Sequence, residues 1–190
     1  MKEIEILVEL YSDIQEAKQT LNQFKSTGIK NVIDTYYYDP LRNNLKPNNK
    51  LQIDECFRLR EQNDKTYITY KIDKFDDNNI WLYSDEYETE VKNKQQKINI
   101  INALGLKKLL VINNKKTSYT TNKYEIVIEE VDKLGNFMEV ELCTNENVNV
   151  KEIKREIQAF INSLGLDVSE ELHMGKPEMM LKKGLFEDYK

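Results

Sequence analysis

Acidic and basic residues recur at every second position in several stretches of this chain. In MKEIEILVEL, Glu3 and Glu5 share one face of a strand while Ile4, Ile6 and Val8 share the other. Arg58 and Arg60 alternate with Phe57 and Leu59, and Lys71 shares a face with Thr69 opposite Ile68, Tyr70 and Ile72. Glu86, Glu88 and Glu90 alternate with Tyr87, Thr89 and Val91, and Glu139 and Glu141 with Met138, Val140 and Leu142. Carboxylates hold hard divalent cations through oxygen, whereas guanidinium and ammonium groups neutralise phosphate oxygens. A ligand that needs both signs at once is a polyphosphate chelated to Mg²⁺ or Mn²⁺. A single strand of this kind needs no ligand, because a wet sheet face pairs opposite charges across strands for roughly 0.2 to 1 kcal/mol each. Over the whole set that explanation weakens: a sheet rolled into a barrel, apolar face outward beneath helices, turns its charged face into a lumen that calls for an occupant.

Other chemistries have little material. His173 is the one histidine, which removes most Ser-His, Cys-His and histidine-rich zinc arrangements. Cys56 and Cys143 are too few for a disulfide framework and read as small buried hydrophobes. The 190 residues, 39% of them hydrophobic, suit one domain spanning 1-190. A formal charge of -5 from 33 acids and 28 bases leaves no basic tract for duplex DNA. No apolar run approaches the ~20 residues of a membrane span, and no signal-peptide core follows the N-terminus, so a soluble cytoplasmic protein is expected.

Positioning these residues requires strands. Period-2 alternation predicts them near 2-10, 31-38, 56-62, 66-72, 82-91, 109-119, 123-131 and 136-144. Ser12, with Gln15 three residues on, reads as the cap of a helix whose Ile14, Ala17, Leu21 and Phe24 face the core before Gly28. A second helix is expected over 94-104. A third is capped by Asn149, buries Ile153, Ile157, Phe160, Ile161 and Leu164, and stops at Gly165. INALGL and INSLGL end the latter two alike, which needs no duplication to explain. Residues 39-50, rich in proline and asparagine, read as a mobile surface loop. Tyr36, Tyr37 and Tyr38 are expected to pack rather than stack a base, Trp81 to lie in the core or at a rim, and His173 to be exposed or on a lid.

The order of these motifs resembles the CYTH superfamily, the triphosphate tunnel enzymes that include class IV adenylyl cyclases, thiamine triphosphatases and inorganic triphosphatases. EIEIL resembles the ExExK signature, DTYYYDP the family's Asp-x-Tyr strand, FRLR its Arg-x-Arg strand and TYK the strand bringing a lysine into the tunnel. EEVDKLGNFMEVEL is similar to the segment closing in Glu-x-Glu. The resemblance implies an α+β fold, an eight-stranded antiparallel barrel with helices outside. It implies metal or water-orienting roles for Glu3, Glu5, Glu139 and Glu141. Arg58, Arg60, Lys71 and Lys116, with Glu88 and Glu90, would form the triphosphate site, and Glu5, Lys71, Lys116 and Glu129 the catalytic set. Lys116 and Glu129 stand where the family usually has arginine and aspartate. Leu7 replaces the ExExK lysine and Asn114 a second base, so two tunnel cations are missing. Lys115 would point to the wrong face to replace them, and Lys123 is the other nearby candidate.

The expectation is therefore a Mg²⁺- or Mn²⁺-dependent enzyme acting on a triphosphate, as cyclase or hydrolase. The alternative is a triphosphate or nucleotide sensor with little turnover. Its partner would be a small triphosphate, with neither nucleic acid nor membrane, and a homodimer is left open.

Overall fold

The computed structural model describes residues 1–186, the side chain of Lys94 excepted. Eight antiparallel strands close into a barrel in the order β1-β5-β4-β3-β2-β6-β7-β8. They are β1 (Lys2–Glu9), β2 (Lys25–Tyr38), β3 (Glu55–Gln62), β4 (Lys65–Phe75), β5 (Trp81–Glu90), β6 (Lys107–Thr120), β7 (Glu125–Val131) and β8 (Gly135–Thr144). Four α-helices join them: α1 (Ile14–Leu21), α2 (Lys94–Ala103), α3 (Val150–Ser163) and α4 (Lys176–Lys182). No helix among the described residues is long and apolar enough to cross a membrane.

Alternation sends the apolar residues of β1, β7 and β8 outward, where α1 and α3 cover them. Ile4, Ile6, Val8, Ile126, Ile128, Met138 and Val140 form one cluster with Ala17 and Leu21 of α1 and Ile157 and Ile161 of α3. A second cluster closes one end of the barrel interior. There Leu7, Tyr36, Leu110, Ile112, Val131 and Phe137 meet Met180 and Leu181 of α4. Leu7 therefore belongs to an apolar plug.

All eight predicted strands are present, as are α2 and α3, each capped by an asparagine side chain: Asn93 accepts from the Gln96 amide at 3.0 Å and Asn149 from the Glu152 amide at 3.3 Å. Both helices stop at a glycine of positive φ, Gly105 and Gly165, which relieves the steric penalty an L residue meets there. The start of the chain differs from expectation. Asp13, not Ser12, caps α1, accepting from the Gln15 and Glu16 amides at 2.8 and 3.4 Å, while Ser12 Oγ accepts from the Asp167 amide. The helix ends at Leu21, leaving Phe24 outside it against Phe160. Gly28 lies inside β2 at φ +111°, where the register with β6 shifts, so this strand starts at Lys25 rather than near 31. The 39–50 loop is anchored: Leu45, in a one-turn 3₁₀ helix (Asn43–Leu45), is buried, and Arg42 pairs with Glu55 at 2.6 Å. Helix α4 was not foreseen, because its seven residues are too few for a readable period.

Candidate active site

The inward faces of the strands enclose a cavity of about 450 Å³, inside the usual range for ligand pockets. Glu3, Glu5 and Leu7 come from β1, Arg58 and Arg60 from β3, Lys71 from β4, Glu86 and Glu88 from β5, Asn114 and Lys116 from β6, and Glu139 and Glu141 from β8. Register explains their meeting. Across β1 and β8, Glu5 lies opposite Glu141 and Leu7 opposite Glu139; across β6 and β7, Lys116 lies opposite Glu129.

On one wall, Asp34 of β2 accepts two hydrogen bonds from Arg60, each 2.8 Å, in a fork that fixes the guanidinium plane. Burial alone would raise the Asp34 pKa, but Arg60 and Arg58 outweigh it and hold the carboxyl far below the usual range. Arg58 donates to Thr69 Oγ1 at 3.2 Å and lies 3.6 Å from Glu88, and its Nε is buried without a hydrogen-bond partner among the described residues. Such an unsatisfied donor on a cavity wall suits an anionic ligand. Lys30 of β2, half-buried, stands directly opposite Lys116, an inward like-charge pair that favours an anion between them.

On the adjoining strands, Lys71 of β4 bonds Glu3 of β1 and lies 2.9 Å from Glu86 of β5, whose pKa falls to about 2: burial would raise it, and Lys71 and Arg58 outweigh that. Glu5, Glu139 and Glu141 bring ligand oxygens within 4.8 Å of one another. Glu5 is pushed well above the usual carboxylate range by burial and then by Glu139 and Glu3, and Glu141 by burial and then by Glu3 and Glu139. Against burial, Lys176 and Lys116 hold the Glu139 carboxyl below the usual range, so it stays anionic. Three converging carboxylates, two of them with raised affinity for positive charge, fit a hard divalent cation such as Mg²⁺ or Mn²⁺. Glu129 is fully buried. One oxygen accepts from Lys176 and forms an ion pair with Lys116, 3.0 Å each, and the other accepts from Asn114.

Sequence reasoning thus places Glu3, Glu5, Arg58, Arg60, Lys71, Glu88, Lys116, Glu139 and Glu141 on one cavity, with Glu129 behind Lys116. Glu90 is set apart, outside the cavity lining and paired with Lys65 at 3.1 Å on the surface. The face was right but the strand runs past the rim. Glu86, noticed only as part of that alternation, lies inside instead. Both cysteines are in phase with the charged residues of their strands and line the cavity; Cys56 also packs against the apolar plug, as a small hydrophobe would, whereas Cys143 is exposed. Trp81 is buried, with Lys154 over its ring. Lys115 points outward to Glu130 at 3.6 Å and Lys123 pairs with Glu156, so neither enters the cavity. His173 is half-exposed beside Glu171. Asp34 was legible from the alternation of β2; Lys30 lay upstream of the strand expected at 31-38, and Lys176 on the unforeseen α4 carried no periodic signal.

The CYTH domain model matches residues 1–173. The chain belongs to the CYTH family. The Methanocaldococcus jannaschii protein named "Putative adenylate cyclase MJ0240" is 25% identical over 161 residues, 85% of this chain and 90% of its own length. Among solved structures, the PH1819 protein of Pyrococcus horikoshii superposes with a TM-score of 0.77 at 23% identity, covering 94% of this chain and 99% of its own. The structure of HpAC1 from Hippeastrum, described as a "putative adenylyl cyclase" with a dominant triphosphatase activity, has a TM-score of 0.63 at 15% identity, covering 96% of both chains. These structural likenesses show the barrel fold. The family itself supports the coarser reading, a CYTH-type triphosphate-binding enzyme.

Proposed function

We propose that this chain, working as one domain, acts with Mg²⁺ or Mn²⁺ on a nucleoside triphosphate or another organic or inorganic triphosphate. The observation that carries this reading is the convergence in one cavity of the Glu5, Glu139 and Glu141 carboxylates with Arg58, Arg60, Lys71 and Lys116. A divalent ion held by those carboxylates would neutralise phosphate oxygens and acidify a coordinated water. The chain's own cations do the rest: Arg58 and Arg60, oriented through Asp34, grip the phosphate chain, and Lys71 and Lys116 oppose charge developing on the transferred group. Glu129 positions Lys116, and Glu3 positions Lys71.

In a hydrolase, a water oriented by Glu5 would attack the terminal phosphorus, the bond to the bridging oxygen would break, and the diphosphate portion would leave as orthophosphate forms. In a cyclase, the ribose 3'-hydroxyl attacks the α-phosphate of ATP and pyrophosphate leaves. The name of the M. jannaschii relative supports the second, and the dominant triphosphatase activity of the Hippeastrum protein supports seeking orthophosphate first. A binding protein without turnover is the second reading, and Asn114 favours it, since an amide there hydrogen-bonds Glu129 in place of a cation.

The test is ³¹P NMR of purified protein with Mn²⁺, ATP and tripolyphosphate. Orthophosphate marks a triphosphatase, and pyrophosphate with a cyclic nucleotide marks a cyclase. Unchanged spectra alongside measurable ligand binding would reject turnover in favour of the binding protein.

A further inference from the structure

Helices α2 and α3 end in the same motif, INALGL and INSLGL, yet they meet solvent differently. Helix α3 buries Ile157 and Ile161 and turns Lys151, Glu152, Arg155 and Glu156 to water, the division expected of a helix packed outside a barrel. Helix α2 buries Ile101 but leaves Ile100 58% exposed and, one turn on at its C-cap, Leu104 66% exposed, with Ala103 exposed beside them. Between Gln95 and Leu104 the one charged residue is Lys97, and it is buried. A helix with aliphatic residues on both sides has one side more than its own barrel covers.

The sheet face that α2 crosses shows the same bias. The connection from β5 to β6 starts where the Val91 amide donates to the Thr66 carbonyl and ends where Lys107 pairs with Tyr38. Strand β3 runs between those points, from Phe57 beside Tyr37 to Glu61 beside Thr66, so the connection passes from one rim to the other. None of its residues lines the cavity, which puts α2 on the outer surface of β2, β3 and β4. Leu59, turned outward on β3, is buried there. Helices α1 and α3 cover the other half, β1, β7 and β8, whereas Ile29 and Ile33 of β2 and Tyr87 of β5 point outward and stand exposed on this one. The outward positions of β2 from Ile29 to Tyr37, and of β4 from Thr66 to Ile72, are all uncharged in a chain whose residues are 32% charged. Glu61 of β3 and Asp85 of β5 interrupt this area, Asp85 beside Lys74 at 3.6 Å.

Neutrality identifies the occupant. A partner recognised by opposite charge needs a charged patch to meet it. Around a twofold axis a surface meets itself, so every charge on it is brought toward its own like, and a self-complementary face has to be apolar and nearly uncharged at its centre. We propose that the face centred on Ile100 and Leu104 of α2 joins two copies of this chain in a twofold dimer. The half of the barrel covered by α1 and α3 stays outside the contact, and the dimer does not depend on the triphosphate reading above.

Sedimentation equilibrium of the purified chain over about 1 to 100 µM tests it. The wild type should move from the 22.5 kDa of one chain to twice that mass and stop there, as a closed twofold contact requires. Ile100→Glu/Leu104→Glu sets glutamates against their own copies and should raise the dissociation constant at least about a hundredfold. Both side chains are more than half exposed, so the variant should keep the wild-type circular dichroism and melting temperature in dilute solution. Tyr11→Glu alters an exposed residue ahead of α1, on the covered half, and should remain dimeric. A wild type that keeps the one-chain mass at the highest concentration overturns the proposal, whatever the variants do, and so does a mass that climbs past two chains. Dimerisation of the folded double variant, or a monomeric Tyr11→Glu, places the contact elsewhere and overturns it too.

Discussion

The two ends of the barrel interior are built from the same strands and have opposite chemistry. Toward one end, Glu3, Glu5, Arg58, Arg60, Lys71 and Glu88 face one another across the cavity; toward the other, Leu7, Ile112, Val131 and Phe137 pack against Met180 and Leu181. On β1 the boundary falls between Glu5 and Leu7, a rise of only about 7 Å along the strand. Alternation assigns a residue to a face, but its depth along the barrel decides whether that face meets a ligand or a plug. Leu7, in sequence a missing cation, is in space part of the floor of the site, packed with Met180 and Leu181.

The comparison breaks first at the plug. Phe137 is wholly buried there, so Phe137→Ala should cost about 3 to 5 kcal/mol of stability in denaturant unfolding. Because it removes no charge, the folded variant should keep its affinity for tripolyphosphate. A large loss of affinity with unchanged stability would mean that the two ends are not separate.

The charged end should show a smaller, pH-dependent contribution. The Asp34 pKa is depressed in the folded protein, against an unfolded value near 3.9, so the unfolded chain takes up a proton first as pH falls. The stability this carboxylate provides is thus complete above about pH 4 and is lost as pH drops toward its folded pKa. It should amount to roughly 2 to 3 kcal/mol, and Asp34→Asn should flatten the acid limb of a stability-versus-pH curve by that amount. Superimposable acid limbs would show that the Arg60 fork does not hold the charge as described.

Most of the barrel was legible because antiparallel strands with one apolar and one charged face announce themselves by period 2, and their inward residues could be named one by one. What was not legible lay where another interaction overrides period. Glu90 keeps the inward phase but outruns the rim, where Lys65 pairs it. Gly28 looked like a helix stop, yet its positive φ serves a bulge that extends β2 upstream. Asp13 captured the α1 cap because Ser12 was engaged by Asp167, a contact 155 residues away in sequence. Lys176 sits in a helix too short to show a face, held by tertiary contacts no local pattern encodes.

The most direct test of the central claim is a thermal melt of the wild type with tripolyphosphate, with and without Mn²⁺. At 100 times the dissociation constant, bound ligand should stabilise the protein by about 2.7 kcal/mol, or roughly 5 to 10 °C for a chain of this size. The account predicts that this shift requires Mn²⁺ and disappears in Glu5→Gln/Glu141→Gln, which removes two of the three candidate metal carboxylates. A melting temperature indifferent to tripolyphosphate with Mn²⁺ would contradict a triphosphate site in this barrel.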